Sequence, residues 1–184
     1  MLNGPGCSFR DEKFASLALN EADKSIMKHH QHGCVAVVGG QVIARGYNSY
    51  RCYSNDGFLD DTYSCHAEID VMRRLSKISS RNNFQLSTIG HCDKNRSAFY
   101  EKVSLYVVRK TVGKPVGQKV NYKDSAPCSR CADVMKKLNI KYIIYSNNIG
   151  SLTKCKVRDY MTNHISQGNR FINRGMKPRE LISE

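Results

Sequence analysis

Cys34-Val35-Ala36-Val37-Val38-Gly39-Gly40-Gln41-Val42-Ile43-Ala44-Arg45-Gly46 is the stretch that decides the fold. Two β-branched runs flank a Gly-Gly pair, the signature of a tight antiparallel hairpin. Upstream, Phe14, Leu17, Ala18, Ala22, Ser25 and Ile26 recur at helical spacing, so a helix is expected over Phe14 to Lys28, with Gly33 as its stop. Downstream, Tyr47 to Ser64 is polar, with a turn at Asn55-Asp56-Gly57; a loop this long is either functional or mobile. A second helix starts near His66 and carries Ile69, Met72 and Leu75. Arg81 to Ser97 has no clear period. Val103 to Val108 reads as a third strand, Gly113 to Asp124 as a polar loop or small hairpin, and Pro127 to Leu138 as a third helix. Ile140 to Tyr145 reads as a fourth strand, Val157 to Ser166 as a last helix, and the residues after Arg174 as a loose tail. A hairpin followed by βαβ crossovers makes a mixed sheet with helices on its faces, an α/β fold.

The chain has 184 residues, enough for one domain spanning 1–184 with a full core. No apolar run is long enough to cross a bilayer, so no membrane partner is expected. Met1 to Arg10 lacks the apolar stretch of a secretory signal. Of eight cysteines, two stand in a C-x-x-C beside proline, which points to metal binding in a reducing compartment, cytoplasm or nucleus. Lys and Arg number 29 against 16 Asp and Glu, a formal charge of +13. The stretch from Lys94 to Lys123 and the tail beyond Ser151 are especially basic. Such charge attracts polyanions, nucleic acid included, but it also describes an ordinary solvated surface.

Two separated motifs carry the chemistry: His66-Ala67-Glu68, and Pro127-Cys128-Ser129-Arg130-Cys131. One imidazole and two thiolates fill three corners of a zinc tetrahedron and leave the fourth to water, the arrangement of a hydrolytic site. Cys128 and Cys131 lie three residues apart at the start of a helix, where the helix dipole favours thiolates. Glu68 shares a turn with His66 and can face the water without binding the metal. H-x-E followed by P-C-x-x-C is the pattern of zinc nucleobase deaminases. The chain resembles the cytidine/deoxycytidylate deaminase superfamily over roughly Phe14 to Ser146, leaving a basic C-terminal extension from about residue 151. Within it, Tyr63-Ser64-Cys65-His66-Ala67-Glu68 and the long loop before it are similar to the deoxycytidylate type.

The resemblance implies a three-layer α/β/α sandwich with a mixed central sheet and αββαβαβ order. It implies a Zn2+ site of His66, Cys128 and Cys131, with Glu68 as the catalytic proton carrier. The implied reaction is hydrolytic deamination of a cytosine nucleotide, dCMP to dUMP, by a homo-oligomer. Asn48 and Ala67 are the implied substrate contacts, Asn48 from its place after the second strand; an ordinary turn asparagine would occupy the same position. Two departures stand out: Asp70, where an asparagine is common, and Ala126 before Pro127. The 58 residues between Glu68 and Pro127 also exceed the spacing of compact members.

Other readings stay open. A nucleic-acid deaminase of the tRNA type would use the basic charge, and a non-catalytic zinc-binding protein of this fold would keep the ligands. Glu68 as a fourth ligand would close the site into a structural one. Cys52, Cys65, His91 and Cys92 are a candidate second metal group. His29, His30 and His32 read as helix-capping or solvated residues. Tyr47, Tyr50, Tyr53 and Tyr63 suit either base stacking or loop packing. Arg45 or Arg51, near Asn48, are candidates for a nucleotide's phosphate.

Overall fold

Gly39 and Gly40 take left-handed backbone angles, φ 59° and 82°, and close the hairpin between β1 (His32–Val38) and β2 (Gln41–Tyr47). This is the turn the sequence calls for, since both central residues of a type I′ turn need positive φ. β1 also pairs antiparallel with β3 (Ser104–Lys110). β3 runs parallel to β5 (Tyr142–Ser146), and β6 (Leu152–Lys156) completes the path antiparallel to β5, giving the order β2-β1-β3-β5-β6. A two-residue β4 (Tyr122–Lys123) pairs with the end of β3. The computed structural model describes residues 7–60, 62–79, 94–111 and 122–175.

Alternation along the strands sorts the core into two layers. Cys34, Ala36, Leu105, Val107 and Ile143 face one side, with α2 (Ala67–Ser79) and α4 (Ser129–Lys137). Val35, Val37, Tyr106, Val108 and Ile144 face the other, with α1 (Phe9–Ala22). The mixed sheet between helical layers is the expected three-layer α/β/α architecture. Among the described residues no helix is long and apolar enough to cross a membrane.

Several boundaries differ from expectation, each for a local reason. α1 starts at Phe9 because Ser8 and Asp11 form a reciprocal capping box; it ends at Ala22, well before Lys28. Gly33 does not stop the helix. It lies in β1 directly beneath α1, where a Cβ would fall 1.9 Å from the Ala18 carbonyl oxygen, so glycine here permits helix and strand to touch. A short α3 (Lys94–Tyr100) begins within the stretch Arg81 to Ser97, which has no clear period in the sequence. α4 ends at Lys137 with Leu138 as its C-cap, within a residue of the expected end; Asn139 follows at φ 61°, and Ile140 N–H donates to the Met135 carbonyl. β6 was not expected. The last helix is not at Val157 to Ser166: Val157–Asp159 is a single 3-10 turn, and α5 spans Gln167–Asn173. The hairpin considered within Gly113 to Asp124 lies largely outside the described residues, as does the tail after Gly175.

The long loop after β2 is anchored. Ser49 and Cys65 form an antiparallel bridge, Phe58 and Leu59 are buried, and Asp56 pairs with Arg73 of α2 at 2.8 Å. That ion pair holds Asp56 below the usual carboxylate range: burial pushes its pKa up, and hydrogen bonds from Arg73 and Ser54 outweigh it.

Candidate metal centre and active site

His66 stands immediately before α2, its carbonyl accepting from Asp70 N–H at 3.0 Å. Cys128 is the N-cap of α4, and Cys131 lies in that helix's first turn. Two helix starts therefore converge, and His66, Cys128 and Cys131 bring their donor atoms within 4.8 Å of one another. His66 Nδ1 lies 3.5 Å from Cys128 Sγ and 3.3 Å from Cys131 Sγ. With Zn–N of about 2.0–2.1 Å and Zn–S of about 2.3 Å, a tetrahedral edge between such ligands is about 3.5 Å. The three residues thus fit a zinc ion through Nδ1 and two sulfurs. Glu68 is not part of this donor group, which argues for an open site over one closed by a fourth protein ligand.

The electrostatics match that assignment. The Cys128 thiol is pushed down to about 4, first by a hydrogen bond from Cys131, with burial opposing and His66 assisting. Cys131 moves the other way, raised by that same hydrogen bond and by burial, so the pair readily yields one thiolate. Glu68 is buried, and burial raises its carboxyl above the ordinary value despite nearby His66. A carboxyl whose pKa is raised above the ordinary value is a better proton acceptor than an exposed one, as a proton carrier needs. Cys65, pushed up to about 12 by burial, is an inert thiol beside the site.

A cavity of about 1300 Å³ opens over the cluster. His66, Ala67, Glu68 and Cys128 line it, as do Asn48, Tyr50, Tyr63 and Ala126. The structure thus brings His66, Cys128 and Cys131 together, with Glu68, Ala67 and Asn48 on the lining of the same cavity. Asn48 is nonetheless occupied by backbone: its Oδ1 accepts from His32 N–H at 2.8 Å and its Nδ2 donates to the His30 carbonyl at 2.5 Å. Ser125 and Ser146 hydroxyls lie 2.9 Å apart; Ser125 Oγ also donates to Val107 O at 2.8 Å, tying the approach to Pro127 onto β3 and β5.

The histidines near β1 depart from a capping role. His30 and His32 line the cavity; burial drives His32 down to about 3, so it is neutral. Arg45 pairs with buried Glu21 at 3.6 Å, and neither Arg45 nor Arg51 lines the cavity. Arg109, Arg170 and Arg174 do, and sequence reasoning missed them. Their only signal was charge, the basic stretch from Lys94 to Lys123 for Arg109 and the basic tail for Arg170 and Arg174, and nothing in either showed where it would fold. Of the candidate second metal group, His91 and Cys92 lie outside the described residues. Among the described residues, Cys52 and Cys65 belong to no metal-competent cluster.

The sequence profile described as the cytidine and deoxycytidylate deaminase zinc-binding region matches residues 9–147. No curated protein sequence matches the chain. Among solved structures, similarity extends to dCMP deaminase from the cyanophage S-TIM5 in apo form, at 17% identity over 75% of this chain and 82% of that one, TM-score 0.46. The same phage enzyme in complex with dCMP and dUMP is 18% identical over 74% and 80%, TM-score 0.45. Cytidine deaminase from Burkholderia pseudomallei is 16% identical over 84% of this chain and 98% of that chain, TM-score 0.49. With the profile spanning most of the chain and its histidine, glutamate and cysteines assembled at two helix starts, this protein belongs to the cytidine and deoxycytidylate deaminase zinc-binding family.

Proposed function

We propose that this chain is a zinc-dependent hydrolytic deaminase of a cytosine nucleotide, converting dCMP to dUMP. The observation that carries the reading is the three-donor cluster with buried Glu68 beside it, both at the floor of one cavity. Zinc held by His66, Cys128 and Cys131 supplies a Lewis acid that makes water nucleophilic at neutral pH. Glu68 would take one proton from the attacking water and pass it to the ring nitrogen of the base; it would then take the proton left on the added hydroxyl and deliver it to the amino group, so that the C–N bond breaks and ammonia leaves. Ala67 lies on the cavity wall between the ligand and the glutamate, where its backbone meets the base edge. Asn48, also on the lining, contributes with what its backbone bonds leave, one Oδ1 lone pair.

The test is ammonia release by the zinc-loaded protein with dCMP, CMP, deoxycytidine and cytidine. Turnover of dCMP above the nucleosides supports the reading, and no release from any of the four rejects it. The charge of +13 favours one second reading, deamination within a nucleic acid. Oligonucleotide binding that falls steeply with salt, together with product formed only in the polymer, would select that reading.

A further inference from the structure

The family match ends at residue 147, but the cavity continues into chain beyond it. Segment 160–175 folds back across the metal-side helix starts. Tyr160 Oη donates to the Pro127 carbonyl at 2.9 Å, and Ser129 N–H, in the first turn of α4, donates to the His164 carbonyl at 2.9 Å. Gly168 rests against Tyr63, where a Cβ would fall 2.9 Å from that residue's Cβ, and the Phe171 ring lies 5.4 Å from the Tyr63 ring. From this docked position Arg170 and Arg174 line the cavity. Arg170 is steadied by its Nε donating to the Ile165 carbonyl at 3.1 Å.

Arg109, on β3, lines the same cavity. One of its Nη atoms lies 2.5 Å from His30 Nδ1, and its Nε is buried without a hydrogen-bond partner among the described residues. Burial, then Arg109 itself, lowers the His30 pKa, so the neutral ring accepts from the guanidinium and orients it. The carboxylates on the lining are Glu68, at the metal cluster, and Asp124, which accepts from Ala126 N–H at 3.2 Å. Away from the metal cluster, the described lining therefore carries three guanidinium groups and one carboxylate. A buried donor with no acceptor and a local excess of planar cations suit a phosphate, which guanidinium binds through paired hydrogen bonds.

Resting on the deaminase reading above, we propose that segment 160–175 is the specificity-determining wall of this cavity. In that wall, Arg170 and Arg174, together with Arg109 of the same lining, receive the phosphate monoester of the nucleotide. The experiment compares the zinc-loaded full chain with Arg109→Gln and with an Arg170→Gln/Arg174→Gln double variant. It measures kcat/KM for dCMP and deoxycytidine, and the binding of both by calorimetry. Each variant is expected to lower the dCMP-to-deoxycytidine ratio by about 10- to 100-fold, the range a charge-assisted hydrogen bond sustains. An unchanged ratio in both variants overturns the proposal. Should Arg109→Gln fail to fold, the exposed arginine pair carries the test alone. Should the chain deaminate neither compound, the deaminase reading fails, and calorimetry still decides the wall: tighter binding of dCMP than of deoxycytidine, lost in the variants, supports it, and equal binding of the two overturns it. A single-stranded oligonucleotide whose binding falls more than that of dCMP in the variants would reassign the cations to a phosphodiester and overturn the monoester assignment.

Discussion

The two faces of the sheet each bury an apolar layer, the larger one under α2 and α4, but treat their polar groups in opposite ways. On the α1 face, the buried Asp11 carboxylate accepts from Tyr106 Oη at 2.6 Å, from the Ser8 N–H at 2.8 Å and from Lys154 Nζ at 3.3 Å. Its acceptor capacity is filled from within the chain, and the result is a lock between α1, β3 and β6. On the α2/α4 face, Glu68, His66 and the two thiols crowd together at a cavity. Each is displaced from its ordinary protonation behaviour by the others or by burial. A polar cluster that satisfies itself holds a fold together, whereas one that remains mutually perturbed beside open space is ready for chemistry.

That contrast predicts where substitutions act. Removing a group on the cavity face should cost function before fold, and on the α1 face fold before function. The largest effect is expected for Cys131→Ala: metal analysis should find one zinc per chain in the parent protein and none in this variant, with all turnover lost. Full zinc content in that variant would break the site assignment. Glu68→Ala should retain zinc while kcat falls by about 10²–10⁴-fold, the range of a general acid–base group; loss of zinc there would instead mark the glutamate as a ligand.

On the other face, Gly33→Ala forces a methyl group onto the Ala18 carbonyl oxygen of α1. About 1–3 kcal/mol of stability should go, as for other overpacked sites, with zinc affinity of the folded fraction retained. Tyr106→Phe leaves Asp11 one donor short and should cost about 1–3 kcal/mol in urea unfolding. Activity per folded molecule should not change, and a large activity loss would sink the division between faces.

The smallest effect is a pH dependence. Burial raises the Asp11 pKa, but the hydrogen bonds from Tyr106 and Ser8 and the charge of Lys154 outweigh it and hold it below its ordinary value of 3.8. Folding therefore favours the ionised form. That contribution is complete above the unfolded value and disappears as pH falls through the folded one. The stability gap between the parent protein and Asp11→Asn should accordingly narrow below about pH 4. A gap that widens there would reverse the assigned shift.

What was legible in the sequence is what backbone chemistry makes local. Gly39-Gly40 dictates a turn whatever surrounds it, and the ligand residues His66, Cys128 and Cys131 announce themselves by type and spacing. Gly33 was misread because a glycine that ends a helix and one that lets a helix press on a strand look alike along the chain. β6 escaped because an edge strand such as Leu152-Thr153-Lys154-Cys155-Lys156 is held chiefly by backbone pairing to β5; only Leu152 is buried. The arginines of the cavity were invisible for the same reason as any tertiary site. Arg109 and Arg170 meet one cavity only after the sheet has formed and segment 160–175 has crossed back over α4.

That crossing gives the protein an order of assembly on the ribosome. The three donor residues lie between positions 66 and 131, and the strands that seat them are complete by residue 156. The hydrogen bonds from Tyr160 to Pro127 and from Ser129 to His164 can form only after that. A nascent chain therefore carries its three candidate donor residues before it carries the segment that folds over their helix starts.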